Sequence, residues 1–368
     1  MEILRAKDVV DRRPAREMGQ KWWPGGSVLR LNDVIVIRKY SLICDAQFKV
    51  IPAAVNEQLF WQPTSIDLGV DSMDLEAELG SRLDFLQRAV DDVDRDKIAD
   101  LSNLSNEFIY LMHPFEWYAY GHLFDTLQRL FPIQDLGVAQ STLLVCGSTQ
   151  SVADFAQHLQ VFGYESHQIL GIPAYCDGIK VRNLTVAESP AGIAQLTVES
   201  VNWLRKCYLE SPRFVSYLRR NESLYPEGQY ILYLDRGEAG SRDLLNKHEL
   251  LSNLAMLGLP IMVFKGKETV FEMLLAFSRA RLVIGVHGAM FVNTIFCSPA
   301  AAIVELCPSN RVVQQMVRMP KPCLNHALVI VPGFADASIQ VDPGEIVRLA
   351  VDLMLSDLSG QDAPSGEL

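Results

Sequence analysis

From Ser141 onward, short apolar runs alternate with longer stretches of helical period. Thr142 to Cys146 reads as a strand, Val152 to Phe162 as a helix, and His167 to Leu170 as a short strand. Val198 to Leu218 keeps helical spacing throughout. Strand Tyr230 to Leu234, helix Asp243 to Leu257, strand Ile261 to Phe264, helix Thr269 to Ala280 and strand Leu282 to Val286 follow. A strand at Leu328 to Val331 and a helix at Pro343 to Leu355 close the series. Short apolar runs between turn residues suit buried strands, and longer runs with a period near 3.6 suit helices. Strands and helices alternating in units of this size predict an α/β fold, with parallel sheets covered by helices on both faces. Ligands in such folds bind beyond the carboxyl ends of the strands. Tyr175 to Gln195, with Gly178, Pro190 and Gly192, interrupts the pattern and reads as an irregular inter-domain link. The expected division is an N-terminal domain over 1–190, a C-terminal domain over 191–342, and a closing helix with a frayed polar tail over 343–368.

Before Ser141 the pattern is sparser. Val34 to Cys44 reads as a strand or hairpin. Asp71 to Asp100 carries Leu75, Leu79, Leu83, Phe85, Leu86 and Val90 at helical spacing and predicts a surface helix with a solvated acidic face. Asp92-Val93-Asp94 forms a DxD triplet, but it lies in this charged helical run rather than after an apolar strand, which argues against a metal role.

Composition narrows the picture. The 368 residues are 49% hydrophobic and 21% charged, as in an ordinary globular protein with sizeable cores, and the length favours two domains. A net charge of −11 excludes a protein that binds nucleic acid through its overall field, while leaving room for a local basic site. Seven scattered cysteines without a CxxC indicate neither a zinc site nor a disulfide framework, and read as buried thiols in a reducing compartment. The charged N-terminus has no apolar signal core. Leu282 to Val304 lacks Asp, Glu, Lys and Arg, yet His287-Gly288, Asn293 and Ser298-Pro299 break it into strand, turn, helix and strand. The expectation is a cytoplasmic protein, with peripheral work at the inner face of a membrane left open.

Three constellations can carry chemistry. In the first, His287, Gly288 and Ala289 follow a buried strand and open a short apolar helix, with Asn293 one turn in and Glu305 at the end of the next strand. Bare N–H groups at such a helix start bind anions, and an acid at a strand end takes sugar hydroxyls. An ordinary strand-turn-helix unit with a satisfied histidine would look the same. In the second, Asp235-Arg236 ends a strand, a Gly-containing loop follows, and Arg242 precedes the next helix. Two arginines flanking one loop can clamp a phosphate, and Lys265 and Lys267 close the next strand similarly. Solvated loop charges are the alternative. In the third, His122, Asp125 and Arg129 share a helix face, opposite Leu123, Phe124, Leu127 and Leu130. A carboxylate one turn from a histidine can orient it as a general base. The wet side of an amphipathic helix is the alternative. The GxSxG, HExxH, P-loop and GxGxxG motifs are absent, which lowers hydrolase, zinc-protease, NTPase and dehydrogenase readings.

In this order the three constellations resemble the family-61 glycosyltransferases, which include plant xylan-decorating transferases, animal O-linked N-acetylglucosaminyltransferases and bacterial polysaccharide enzymes. The family's HGAxxxN, F, PG and Glu-Leu hallmark is matched by His287-Gly288-Ala289, Asn293, Phe296, Pro299 and Glu305-Leu306. Its arginine pattern is matched by Arg236, Arg242, Asn246 and Glu249-Leu250, and its aromatic helix by Tyr120, Gly121, His122, Asp125, Arg129 and Leu130. Ala300 replaces the usual glycine, and Asp235 stands where a small hydroxyl residue is common. The resemblance implies a GT-B-like architecture, in which two Rossmann-like domains face a central cleft and the C-terminal one holds the nucleotide-sugar. It implies inverting transfer to a glycan or other hydroxyl acceptor with no cofactor and no essential metal, and the lack of an export signal, rather than the site, gives surface polysaccharide synthesis as the expected setting. His122 is then the base and Asp125 its orienter, or Asp125 the base itself. Arg236, Arg242, His287, Gly288, Ala289, Asn293 and Glu305 would hold the donor. A non-catalytic nucleotide-sugar or glycan-binding relative is the competing reading, and a phosphatase-like enzyme a weaker third.

Overall fold

The computed structural model describes residues 2–5, 28–38, 41–51, 75–112, 123–136, 143–187, 196–237, 242–311, 322 and 325–356. The chain divides into two compact units, Gly19–Ser200 and Val201–Leu368, the latter joined by Met1–Met18. The N-terminal strand β1 (Glu2–Arg5) belongs to the C-terminal sheet.

In the first unit, β2 (Val28–Ile37) and β3 (Leu42–Cys44) form the expected hairpin. The sheet adds β4 (Ile98–Asp100), β5 (Phe108–Tyr110), β6 (Leu143–Ser148), β7 (Ile169–Ile172) and β8 (Gly178–Ala187). Its order is β3-β2-β8-β5-β6-β7, with β4 also on β8. β4 to β8 pair in parallel, whereas β2 runs antiparallel to both neighbours, so this sheet is mixed.

Two expectations fail here. The supposed link contains β8, which lies at the middle of the sheet. Its buried residues change phase, Ile179 and Val181 before Leu184 and Val186, around exposed Arg182 and Asn183, and this hides the alternation. The acidic helix, Leu75–Asp91, stops well short of Asp100, residues 71–74 of the expected span lie outside the described residues, and Phe85 on the helix is 50% exposed. The DxD triplet lies past its end. Asp94 accepts from the Asp96 N–H at 3.2 Å and pairs with Lys97 at 3.1 Å, capping a 3-10 turn.

In the second unit, β9 (Ile231–Leu234), β10 (Ile261–Phe264), β11 (Leu282–Val286), β12 (Ala302–Pro308) and β13 (His326–Val331) run parallel in the order β13-β12-β11-β9-β10, with β1 antiparallel on β13. One face, with Tyr233, Ile284, Val304 and Val329, forms a core with Leu250 and Leu254 of helix Lys247–Ala255 and Ile346 and Leu353 of helix Pro343–Ser356. Helix Val270–Arg279 contributes Met273, Leu274 and Phe277 to the buried core. It starts on a capping box, in which Thr269 Oγ1 accepts from the Glu272 N–H at 3.3 Å and Glu272 Oε2 accepts from the Thr269 N–H at 2.8 Å.

Val198 to Leu218 is two helices, Val198–Leu209 and Pro212–Asn221, because Pro212 starts a new helix and cannot continue the old one. The expected helix from Asp243 begins only at Lys247, since Leu244 bridges Ile339 and Asn246 spends its amide on Val341. The uncharged run is strand, 3-10 helix Ala289–Phe296 and strand. No helix among the described residues is long and apolar enough to cross a membrane. Burial pushes the free thiols of Cys44 and Cys307 up to about 12.

Candidate active site

Beyond the carboxyl ends of β9 and β11 lies a cavity of about 290 Å³, lined by Asp235, Arg236, Arg242, Asp243, Lys247 and Val286 among others. Arg236 leaves the end of β9. Arg242 sits in the left-handed region with φ 59°, which is uncommon for a side chain of its size and marks a conformation held by its surroundings. Its N–H donates to the Asp336 carbonyl at 3.1 Å, and its Nη1 donates to the His287 carbonyl at 3.4 Å. Gly288 is extended, so its need for glycine is spatial. A Cβ there would meet the Arg236 Nη1. Two of the sequence constellations therefore interlock, one strand end making room for the other's guanidinium.

The electrostatics of the cavity favour an anion. Burial, then the neighbouring Arg242, lower the Arg236 pKa, while Asp243 opposes them. The Arg236 Nε is buried without a hydrogen-bond partner. Two cations that repel each other, one with an unpartnered N–H, are completed by an anion that accepts from both. Lys247 adds a third cation, paired with Asp235 at 3.2 Å. Lys265 and Lys267, by contrast, are exposed, and their backbone N–H groups donate to Glu268, so they are loop charges.

The first constellation divides. Gly288 lies at the Arg236 guanidinium, and Ala289 is partly exposed where the 3-10 helix opens. The His287 imidazole is fully buried, its Nδ1 lying 2.6 Å from Glu305 Oε1. Glu305 does not end its strand. It lies inside β12, fully buried, and its second oxygen lies 3.2 Å from His326 Nε2. Both carboxylate oxygens are engaged by imidazoles, so the expectation of sugar hydroxyls on Glu305 is corrected. Asn293 is also fully buried. His326 went unnoticed in the sequence. The signal available was a polar residue in each of two neighbouring apolar strands, AIVELCP and HALVIV, which must satisfy each other.

In the third constellation, His122 lies outside the described residues, and Asp125 lies on helix Leu123–Leu127, without a described side chain. The apolar arc of Leu123, Phe124, Leu127 and Leu130 is buried, as its spacing indicates. The opposite side is not wet, however, because Thr126 is 1% and Arg129 2% exposed. The helix passes into a 3-10 helix, Gln128–Leu136, whose tighter winding changes the face that Arg129 occupies.

Comparison with curated proteins finds no match. Residues 120–304, half of the chain, match the family model Glycosyltransferase 61. The segment runs from the helix of Asp125 through both arginines to the His-Gly-Ala turn. The chain belongs to glycosyltransferase family 61.

Proposed function

We propose that this glycosyltransferase takes a sugar from a nucleoside diphosphate-sugar and transfers it, with inversion, to a hydroxyl of a glycan acceptor. The donor diphosphate occupies the cavity beyond β9 and β11. The observation that carries this reading is the convergence there of Arg236 and Arg242, one with an unpartnered buried N–H, beside a glycine that leaves room for the guanidinium.

In the reaction the acceptor oxygen attacks the anomeric carbon while the bond from that carbon to the diphosphate oxygen breaks. The electron pair leaves on the nucleoside diphosphate, whose growing charge is met by the two guanidinium groups and by the N–H groups where the 3-10 helix opens at Ala289. The acceptor proton passes to a general base, for which His122 oriented by Asp125 is our assignment. Two fixed cations can do the electrostatic work that a metal does in other transferases, so no metal is required in this scheme. A two-domain GT-B arrangement, with the acceptor on the N-terminal unit, completes the reading.

A thermal-shift panel of nucleotide-sugars tests it. A true donor stabilises the fold by mass action, and incubation with a glycan acceptor then yields the nucleoside diphosphate and a product of inverted anomeric configuration. Turnover with retention, or phosphate release without any acceptor, would overturn the assignment.

A further inference from the structure

We propose that Glu305 and His326 are positioning residues of the phosphate cavity, acting through His287. The ligand in this proposal rests on the donor-site reading above. On β11, β12 and β13, Val286, Leu306 and Ala327 point into the core with helices Lys247–Ala255 and Pro343–Ser356. Side chains alternate along a strand, so His287, Glu305 and His326 project from the opposite face. The register pairs Gly285 with Glu305 and Ile303 with His326. The three polar side chains therefore form a diagonal across three adjacent strands. It is closed by contacts of 2.6 and 3.2 Å, and no member is more than 5% exposed.

Such a cluster is a poor device for stability alone. A buried carboxylate gives back in desolvation most of what its partners return, and apolar side chains of similar size serve a core as well. What it fixes is position. The pinned His287 ring belongs to the residue whose carbonyl accepts from Arg242 Nη1, and the next residue, Gly288, lies under the Arg236 guanidinium. A turn of the His287–Gly288 peptide would displace the partner of one arginine and the seat of the other. His326 thus reaches the cavity from two strands away. A carboxylate accepting from both imidazoles also requires a His287 proton on Nδ1.

A double-mutant cycle read by calorimetry with inorganic pyrophosphate tests this. His326→Leu is expected to weaken binding about tenfold, the scale of one misplaced hydrogen bond. In an Arg236→Ala/Arg242→Ala background the same change is expected to alter affinity less than about twofold, since its route is gone. His326→Gln, which retains an N–H for Glu305, restores most of the loss, and Glu305→Gln serves if the leucine variant does not fold. Equal losses in both backgrounds, or no loss in a folded variant, would overturn the proposal. A second arm needs no ligand. In unliganded protein, nitrogen NMR is expected to show His287 protonated on Nδ1, and the Arg242 side-chain signal is expected to move in His326→Leu. An unmoved Arg242 signal overturns the relay. Wild-type protein that ignores pyrophosphate overturns the donor-site reading instead, and the relay is then decided by the NMR result.

Discussion

At the scale of single residues, the arginine pair and the glycine beside it form one unit. Gly288→Ala adds one methyl group where the Arg236 Nη1 lies, so the guanidinium must swing away. We expect this variant to fold, because the clash is with the far end of a flexible side chain, and to bind nucleoside diphosphate about tenfold more weakly, the scale of one charged hydrogen bond. Calorimetry with an unchanged affinity would show that Arg236 does not need this seat. The second residue-scale prediction concerns the base. His122→Ala should lower turnover about a hundredfold or more while leaving donor affinity intact, since general-base catalysis is worth roughly 10²–10⁴-fold. If His122→Ala keeps normal turnover and Asp125→Asn abolishes it, the carboxylate is the base. Arg236, Arg242 and Gly288 could be singled out in the sequence as candidates because Arg at a strand end and a bare helix start carry their chemistry in their type. Glu305 stood out in the sequence as an acid but its partners did not, because a carboxylate within an apolar strand has no readable partner until the neighbouring strand is known.

At the scale of elements, β9, β10 and β11 of the C-terminal sheet could be read almost to the residue. Ile261 to Phe264 and Leu282 to Val286 are as their apolar runs indicate. Parallel strands buried on both faces need no alternation, only a short apolar run between turns. β8 was invisible because its alternation slips a phase at Arg182 and Asn183, and β5 because three residues are too few to show a period. The helix Thr149–Val161 carries a testable consequence. His158 lies inside it, edge-on to Phe124 at 6.2 Å, and burial pushes its imidazole down to about 3. Unfolded, it titrates near pH 6.5, so below that pH the unfolded state binds the extra proton. Its contribution is complete above about pH 6.5 and falls away as pH drops toward 3. Between pH 7 and pH 5 the loss is about 2 kcal/mol. Urea unfolding of His158→Leu at these two pH values should show a pH-dependent loss smaller by that amount. An identical loss in variant and wild type would contradict the buried neutral state.

At the scale of the whole molecule, the sequence announced an α/β chain in two units but not the return of β1 to the far edge of the C-terminal sheet, since no local period records a partner hundreds of residues away. Nor did it show that the closing helix Pro343–Ser356 is part of that unit's core. The electrostatic design of the whole enzyme leads to another expectation: chelation with EDTA leaves turnover unchanged. Activity abolished by EDTA and restored by Mn²⁺ would contradict the assignment of charge neutralisation to arginines. The central claim is that the cavity beyond β9 holds the donor diphosphate. Calorimetric titration of wild-type protein and Arg236→Ala with nucleoside diphosphates tests it most directly. The account predicts binding by the wild type, and a loss of about 1.5–3 kcal/mol in the folded variant, the worth of a charged hydrogen bond. Equal affinities in the two proteins would contradict it.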